Sequence, residues 1–372
     1  MKILIAPDKF KGSLSAREAA ECIAAGLGDQ FVCRILPLAD GGEGTAEAIR
    51  SVLGGHRETR QVEDPVGRNV EASFVVVRNG ADHVAIIEMS EASGLWRISP
   101  QERDPWRAST FGTGQLLRAA ADLGVDRILL GLGGSATNDG GSGMAHALGF
   151  QFFDSAGQQV EDIPRQLDRV VRLRRSELGL PPLVAACDVT NPLLGPQGAT
   201  RVYGPQKGIA AESIEAQERR LRHIADLVER DLGFHGRDLP GAGAAGGLGF
   251  GAMAFGRAEL QSGFALVAGL TGLREAVEAA DAVITGEGSL DHQTLNGKGP
   301  RGVAVLARSL GKPVVALAGR VQEGCGLERE FDLARAIAPP GTGEAESMLR
   351  AGKWLELAAR ETVDWLRCRI LG

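Results

Sequence analysis

The stretch RILLGLGGSATNDGGSGMAHAL, residues 127–148, combines three features from which the fold class can be inferred. It opens with a short apolar run, RILL, which is typical of a buried strand. Five glycines follow in the eleven residues GLGGSATNDGG, and a helix-compatible segment, MAHAL, comes after them. A strand, a glycine-rich turn and a helix in this order indicate an open parallel sheet, which binds ligands at the carboxyl ends of its strands.

The glycine-rich loop at residues 131–141 has two interpretations. In the first it cradles phosphate: the glycines let the backbone approach a ligand, hydroxyl and amide groups add donors, and Asp139 is available to Mg²⁺. In the second it is a plain turn, and Asp139 caps the next helix. The candidate nucleotide-binding residues are Gly133, Gly134, Ser135, Thr137, Asn138 and Asp139.

The same alternation of strand and helix appears at both ends of the chain. KILIA (residues 2–6) is followed by SLSAREAAECIAAGL (residues 13–27), a helical pattern behind a Ser cap. Near the other end, DAVITGEGS (residues 281–289) and PVVALAGRV (residues 313–321) read as strands on either side of a helix. The pattern changes at residues 58–89, where apolar and polar residues alternate with a period of two between turn signals. This alternation predicts antiparallel hairpins.

We therefore predict an α/β fold with two domains. Residues 1–62 and 263–372 together form a Rossmann-like domain with a parallel sheet, and residues 63–262 form an inserted α/β domain that contains the antiparallel hairpins. A chain of 372 residues is long enough for two cores.

The composition excludes several classes of function. A net charge of -6 gives no support for binding to nucleic acid or to a membrane surface. No apolar run reaches the roughly 18 residues that a membrane span needs. The five cysteines are scattered and lack metal-ligand spacing, which fits a reducing cytoplasm. We expect a cytoplasmic protein that acts on a small molecule; its assembly stays open, with a homodimer as one alternative.

Two common nucleotide motifs do not explain the loops. None of the Gly-Lys pairs that begin at residues 297, 311 and 352 is followed by Ser or Thr, so a Walker A motif is absent. GAGAAG, residues 241–246, matches G-x-G-x-x-G, but it follows GRDLP rather than an apolar strand. This misplacement weakens the interpretation of the chain as a dehydrogenase and favours tight packing of this segment.

Acidic residues follow four further apolar runs, where the carboxyl ends of strands are expected. They are Asp8, Asp40, Asp188 and the pair Glu287 and Asp291. One such residue would be a helix cap, whereas four indicate a shared acidic site. Phosphoryl transfer requires this set, because carboxylates hold Mg²⁺ and one base orients the acceptor hydroxyl.

Three lysines in nearby loops are candidates to neutralise phosphate charge. They are Lys11, Lys207 in YGPQKG and Lys298 in LNGKGP. Each of them, taken alone, is equally well explained as a surface lysine. His292, next to Asp291, is a further candidate base, although a histidine in a polar loop is more often only solvated.

Seven motifs taken in order give the chain a resemblance to the bacterial glycerate kinase family of the type without a P-loop. They are APDKFKGSLSA, PLADGGEGT, GLGGSATNDGG, ACDVTNPLLGPQGAT, YGPQKG, GAGAAGGLG and TGEGSLDHQTLNGKGP. The resemblance runs from residue 1 to about residue 340. It implies phosphorylation of D-glycerate that depends on ATP and Mg²⁺, on two α/β domains with the active site in the cleft between them.

The motifs of the resemblance also indicate which residues line the site, and the roles within that set are our own inference. The substrate-binding residues are Asp8, Ser13, Asp40, Glu43, Thr190, Asn191 and Lys207. We expect Lys11 and Lys298 to neutralise glycerate carboxylate or transferring phosphate as catalytic residues. Asp188 and Asp291 are the expected base and metal ligands, and Glu287 is a further metal ligand.

Three questions stay open at this stage. The product is expected to be 2-phosphoglycerate, with 3-phosphoglycerate as the alternative. The acceptor could instead be another small hydroxy acid. A protein of a different class, a regulatory protein that binds nucleotide or phosphate without turnover, is also compatible with the glycine loops, although it would not need so many carboxylates and lysines.

Overall fold

The computed structural model describes residues 1–291, 294, 299–322, 324, 326 and 329–371. The chain forms two compact units. Unit 1 comprises residues 1–40, 47–54 and 264–372, and unit 2 comprises residues 41–46 and 55–263. No helix in the described part of the chain is both long and apolar enough to cross a membrane.

The strands of unit 1 are β1 (Lys2–Ile5), β2 (Val32–Ile35), β11 (Ala282–Leu290), β12 (Val314–Val321) and β13 (Leu333–Ala336). Those of unit 2 are β3 (His56–Glu63), β4 (Asn69–Asn79), β5 (Asp82–Glu88), β6 (Arg127–Gly131), β7 (Gln151–Phe153), β8 (Arg172–Arg174), β9 (Leu183–Ala186) and β10 (Glu259–Gln261).

The helices up to residue 203 are α1 (Ala16–Leu27), α2 (Thr45–Leu53), α3 (Ser90–Ser93), α4 (Phe111–Asp122), α5 (Ser142–Ala147), α6 (Ile163–Gln166) and α7 (Ala199–Tyr203). The later ones are α8 (Ile214–Leu232), α9 (Ala244–Gly256), α10 (Gly263–Thr271), α11 (Leu273–Glu278), α12 (Gly299–Ser309), α13 (Glu344–Leu349), α14 (Ala351–Glu361) and α15 (Val363–Leu371).

Unit 1 is built on a parallel sheet with the strand order β13-β12-β11-β1-β2. Successive residues of β1 enter two different cores, Ile3 and Ile5 on one face and Leu4 on the other. Because both faces are covered, the strands read as continuous apolar runs. The predicted parallel sheet, built from both ends of the chain, is confirmed.

The first helix of unit 1 begins where its sequence signal predicts. Ser15 is the N-cap of α1: its hydroxyl accepts the Glu18 N–H at 3.2 Å, and the Ser15 N–H donates to the Glu18 carboxylate at 2.8 Å. This reciprocal pair is a capping box, which satisfies donors that the first turn of a helix leaves open.

Unit 2 contains a mixed sheet with the strand order β10-β9-β6-β5-β4-β3. The strands β10, β9, β6 and β5 run parallel, whereas β5, β4 and β3 form antiparallel hairpins. The hairpins predicted for residues 58–89 are therefore confirmed. Residue 62, the predicted boundary, lies inside β3. Because β3 pairs with β4 along its whole length, the main segment of unit 2 begins at Gly55.

Candidate functional site

An acidic cluster forms at the carboxyl ends of three neighbouring strands of unit 1. Asp8 follows β1, Asp40 follows β2, and Glu287 lies near the end of β11. These strands are adjacent in the sheet, so residues far apart in sequence meet at one edge. Asp8 is buried, and its N–H donates to the Gly286 carbonyl at 2.8 Å.

Gly299 at the start of α12 gives the Asp8 carboxylate its space. A Cβ at position 299 would lie 2.8 Å from Asp8 Oδ2, and the backbone there has a φ of +33°. The Lys9 N–H also donates to Asp8 Oδ1 at 2.6 Å. The carboxylate is thus held next to the first turn of an 11-residue helix, where a negative charge is favoured.

The electrostatic surroundings of Glu287 disfavour its ionised form. The pKa of its carboxyl is raised from 4.5 to about 7, mainly by burial and to a smaller extent by the nearby charges of Asp8, Asp291 and Asp40. A hydrogen bond from Thr294 Oγ1 to Glu287 Oε1, 2.6 Å long, opposes the rise. The raised pKa thus reflects first the removal of the carboxyl from water and then its repulsion by three nearby carboxylates.

The turn after β11 places Asp291 in the same cluster. Its carboxylate accepts the Ser289 hydroxyl at 3.2 Å, and its N–H donates to Thr294 Oγ1 at 3.2 Å. Thr294 is only 3% exposed and contacts both Asp291 and Glu287, so it couples the two acids.

The loop after Asp8 presents a lysine and a serine of the predicted site. Lys11 is exposed, and its backbone N lies against Gly288 of β11. Ser13 donates from its hydroxyl to the Phe10 carbonyl at 3.0 Å, which closes the turn. Lys298 and His292 lie outside the described residues.

In unit 2, the loop after β6 packs backbone against backbone on residues 41–44. A Cβ on Gly133 would lie 2.6 Å from the Cα of Gly42, and one on Gly131 would overlap the Gly41 carbonyl oxygen. Glycine is required at these positions because the two chain segments approach too closely for a side chain.

Glu88 fixes the same loop pair from the end of β5. This residue is 6% exposed, and its carboxylate accepts the Gly44 N–H at 3.0 Å and the Ala46 N–H at 2.7 Å. Sequence analysis missed it, although it follows the apolar run VAII directly, as the other singled-out acids follow theirs. Glu43 and Thr190, predicted substrate-binding residues, are exposed.

The accessible part of the glycine-rich loop is short. Gly133 is half-buried and Gly134 exposed, with a φ of +74° at Gly134, whereas every residue from Ser135 to Gly140 is buried. The N–H groups of Gly133, Gly134 and Ser135 donate no hydrogen bond to the described residues. Unpaired N–H groups in a glycine turn are the donors that an anion would use.

Asp139 performs the structural role that the turn interpretation gives it. Its Oδ2 accepts the Thr110 N–H at 2.9 Å, the Thr110 hydroxyl at 2.7 Å and the Gly143 N–H at 3.1 Å. Its Oδ1 accepts the Gly141 N–H at 3.1 Å. The carboxylate thereby ties the start of α5 to the start of α4, and Thr110 is a partner that no sequence signal indicated.

The neighbouring polar side chains also point into unit 2. Thr137 is fully buried, and Asn138, 2% exposed, donates to Thr200 Oγ1 at 3.1 Å. These two residues were predicted to bind nucleotide, but both are buried in unit 2 and support the loop from its interior side. The sequence pattern cannot tell whether these side chains face a ligand or the interior of unit 2, because hydroxyl and amide groups in a glycine turn are compatible with both orientations.

Lys207 is likewise directed at the loop. It is 1% exposed, and its ammonium donates to Ser135 Oγ and to the Thr137 carbonyl, both at 2.7 Å. Burial lowers the pKa of Lys207 to about 7, an effect that the charge of Asp139 opposes. The lysine thus contacts two of the predicted nucleotide-binding residues, Ser135 and Thr137.

The other predicted residues of unit 2 lie after β9. Asp188 Oδ1 accepts the Ser262 hydroxyl at 2.8 Å and the Gly263 N–H at 3.0 Å. Asn191 donates to the Gln197 carbonyl and accepts from the Tyr203 hydroxyl, each at 2.7 Å, and so holds the loop that leads to α7. Of the acids predicted to act as base or metal ligands, Asp188 therefore lies in unit 2, whereas Glu287 and Asp291 lie in unit 1.

Comparison with known proteins agrees with this arrangement. The model of the glycerate kinase family matches residues 3–367. Glycerate kinase of Halalkalibacterium halodurans is 43% identical over 367 residues, 96% of each chain. Glycerate 2-kinase of Escherichia coli K12 is 41% identical over 354 residues, 90% of this chain and 89% of the relative.

A solved structure gives the same result for the fold. It is the crystal structure of a Salmonella typhimurium LT2 protein proposed to be glycerate kinase 2, with a TM-score of 0.87, 39% identity and 99% of each chain covered. The sequence matches the family over nearly its full length, and the fold matches the solved structure. Both findings support the same family assignment. The chain belongs to the glycerate kinase family and is an enzyme of the glycerate kinase type.

Proposed function

We propose that the enzyme transfers the γ-phosphoryl group of ATP to the 2-hydroxyl of D-glycerate. The observation that carries the nucleotide part is the set of open N–H groups at Gly133, Gly134 and Ser135. These groups are fixed dipoles at the carboxyl end of β6, and such donors stabilise phosphate without reorganising during the reaction. The use of ATP as the phosphoryl donor also favours a cytoplasmic enzyme, because ATP is available in the cytoplasm.

Carboxylates of unit 1 suit a magnesium ion that arrives with the nucleotide. Among the described residues, no group of three or more His, Cys, Asp or Glu side chains is arranged to hold a metal. Mg²⁺ does not need one, since it is usually bound through one or two carboxylates plus phosphates and water. Asp8, Glu287 and Asp291 offer the oxygens, and the raised pKa of Glu287 fits a cluster that gains from a cation. A bound Mg²⁺ would neutralise phosphate charge.

The remaining roles are assigned to residues on the two units. Asp188 and Asp291 are the proposed base and metal ligand, and each already accepts hydrogen bonds that fix its carboxylate. Lys11, which is exposed, and Lys298 are the proposed cations for glycerate carboxylate or transferring phosphate. The base would accept the proton of the substrate hydroxyl as its oxygen attacks the γ-phosphorus.

The choice of the 2-hydroxyl is supported by the name of the Escherichia coli relative, glycerate 2-kinase. The two hydroxyls of glycerate differ by one carbon, so a small shift of bound substrate would change the product. A homodimer stays a prediction.

The test is direct. Purified enzyme is incubated with ATP, Mg²⁺ and D-glycerate, and the product is identified by phosphorus NMR. A 2-phosphoglycerate signal supports the proposal; 3-phosphoglycerate alone would overturn the regiochemistry. Parallel reactions with tartronate, lactate and glycolate test other acceptors, and ATP binding without ADP release in any mixture would favour a regulatory protein.

Two variants test the acids. Asp188→Asn and Asp291→Asn keep the shape of each side chain but remove its charge. We expect kcat to fall by at least about a hundredfold in each, because general-base and metal contacts contribute on this scale. Near-normal turnover in either folded variant would remove that residue from the mechanism.

A further inference from the structure

Lys207 is buried by a rigid turn rather than by chance contact. It ends the 3₁₀ turn Pro205–Lys207, and Gly208 follows with a φ of +90°. A Cβ on Gly208 would lie 2.8 Å from the Arg103 carbonyl oxygen, so the chain turns sharply against that residue. The sequence YGPQKG therefore fixes where the lysine points.

Both hydrogen bonds of the Lys207 ammonium go to one short segment. Its acceptors are the hydroxyl of Ser135 and the carbonyl of Thr137, two residues further on. Because a peptide unit is planar, holding the Thr137 carbonyl fixes the orientation of the whole Thr137–Asn138 peptide. The Thr137 hydroxyl has no hydrogen-bond partner among the described residues, so the lysine is the main polar anchor of this residue.

Lys207 also brings positive charge to the loop when its ammonium is protonated, which, with a pKa of about 7, is the case for a large share of the molecules at neutral pH and below. No Asp or Glu oxygen of the described residues lies within 4 Å of its ammonium, whose only polar contacts are neutral. A buried cation without a carboxylate partner is costly, and it raises the electrostatic potential of the loop above it. An anion at the open N–H groups of Gly133, Gly134 and Ser135 would relieve that cost.

We propose that Lys207 is a positioning residue that sets the affinity of the loop for the nucleotide phosphates without touching them. It holds residues 135–137 in the conformation that leaves the N–H groups of residues 133–135 open. This inference rests on the proposed function and changes one part of it, because Lys207 then acts on the loop and not on glycerate.

The experiment compares Lys207→Met with Lys312→Met. Lys312 is a matched control, since its ammonium donates to the Ala280 carbonyl at 2.7 Å in unit 1, away from any proposed ligand. We expect Lys207→Met to raise KM for ATP and the calorimetric Kd for ADP by at least about tenfold, with KM for glycerate changed less than about twofold. Lys312→Met should leave all three constants unchanged.

Two further variants keep the test decisive if Lys207→Met does not fold. Lys207→Gln keeps donor groups on a neutral side chain and should restore part of the ADP affinity. Ser135→Ala removes one acceptor, and its effect should be smaller in the Lys207→Gln background than alone, because the two residues act through one contact.

The outcomes separate the inference from the function. A wild-type enzyme without ATP turnover would remove the proposed function itself. An active wild type whose Lys207 and Ser135 variants are folded and bind ADP normally would overturn the positioning role. Equal increases of KM for ATP and for glycerate would also overturn it, because they would indicate general loss of structure.

Discussion

Glu287→Gln should make the stability of unit 1 less dependent on pH. In the native state the pKa of Glu287 is raised from 4.5 to about 7, so between these values the folded chain holds a proton that the unfolded chain releases. Stability therefore falls as pH rises from about 4.5 to about 7 and stays low above that range. Gln carries no charge and can still accept the bond from Thr294 through its amide oxygen.

The magnitude follows from the size of the shift. One pKa unit corresponds to about 1.36 kcal/mol, so Glu287 ionisation costs up to about 3 kcal/mol at about pH 8. Glu287→Gln should thus exceed the wild type in free energy of unfolding by up to about 3 kcal/mol at about pH 8 and nearly equal it at about pH 4.

The assay is urea denaturation of ligand-free protein at both pH values, followed by tryptophan fluorescence. Replacing Trp96 and Trp106 by Phe leaves Trp354 and Trp365, which both belong to unit 1. Glu278→Gln is the control: it breaks an exposed pair with Arg274 and should change stability by less than about 1 kcal/mol at either pH. Parallel pH curves for wild type and Glu287→Gln would refute the electrostatic reasoning.

Three further predictions concern the loops and the first helix. Gly134→Ala forces a Cβ onto a φ of +74° and to 3.2 Å from Ser90 Cβ, so KM for ATP should rise about tenfold in steady-state assays while circular dichroism stays unchanged. Asp139→Asn cannot accept all four donors and should lower the unfolding free energy by about 1–3 kcal/mol; unchanged stability would contradict its structural role. Ser15→Ala removes the capping box and should cost about 1 kcal/mol in urea denaturation with kcat unaffected.

Sequence patterns predicted the strands and the acidic cluster because both depend on short-range signals. Apolar runs marked the strands, and acids directly after them were expected at one edge of the sheet. Asp8, Asp40 and Glu287 meet because β11, β1 and β2 are neighbours, a strand order that the structure shows and the sequence pattern did not predict.

The orientation of polar side chains could not be predicted in the same way. Lysine and asparagine often contact ligands, yet Lys207 and Asn138 are both buried against partners from distant parts of the chain. Burial of a charged or amide group depends on whether tertiary contacts satisfy its hydrogen bonds, and no local spacing reports such contacts. The boundary at residue 62 differs from the structure for another reason: the hairpin pattern begins at residue 58, and the strand to which it belongs, His56–Glu63, stays whole within unit 2.

The contact of Gly131 and Gly133 with residues 41–42 limits how these loops can change. Where two backbone segments touch directly, neither has a side chain that a smaller residue could replace to make room for a larger residue in the other segment. A pair of compensating substitutions, which often allows buried residues to change together, therefore cannot relieve a clash at this contact. Substitutions in these two loops are therefore expected where the side chain is exposed, as it is at Glu43.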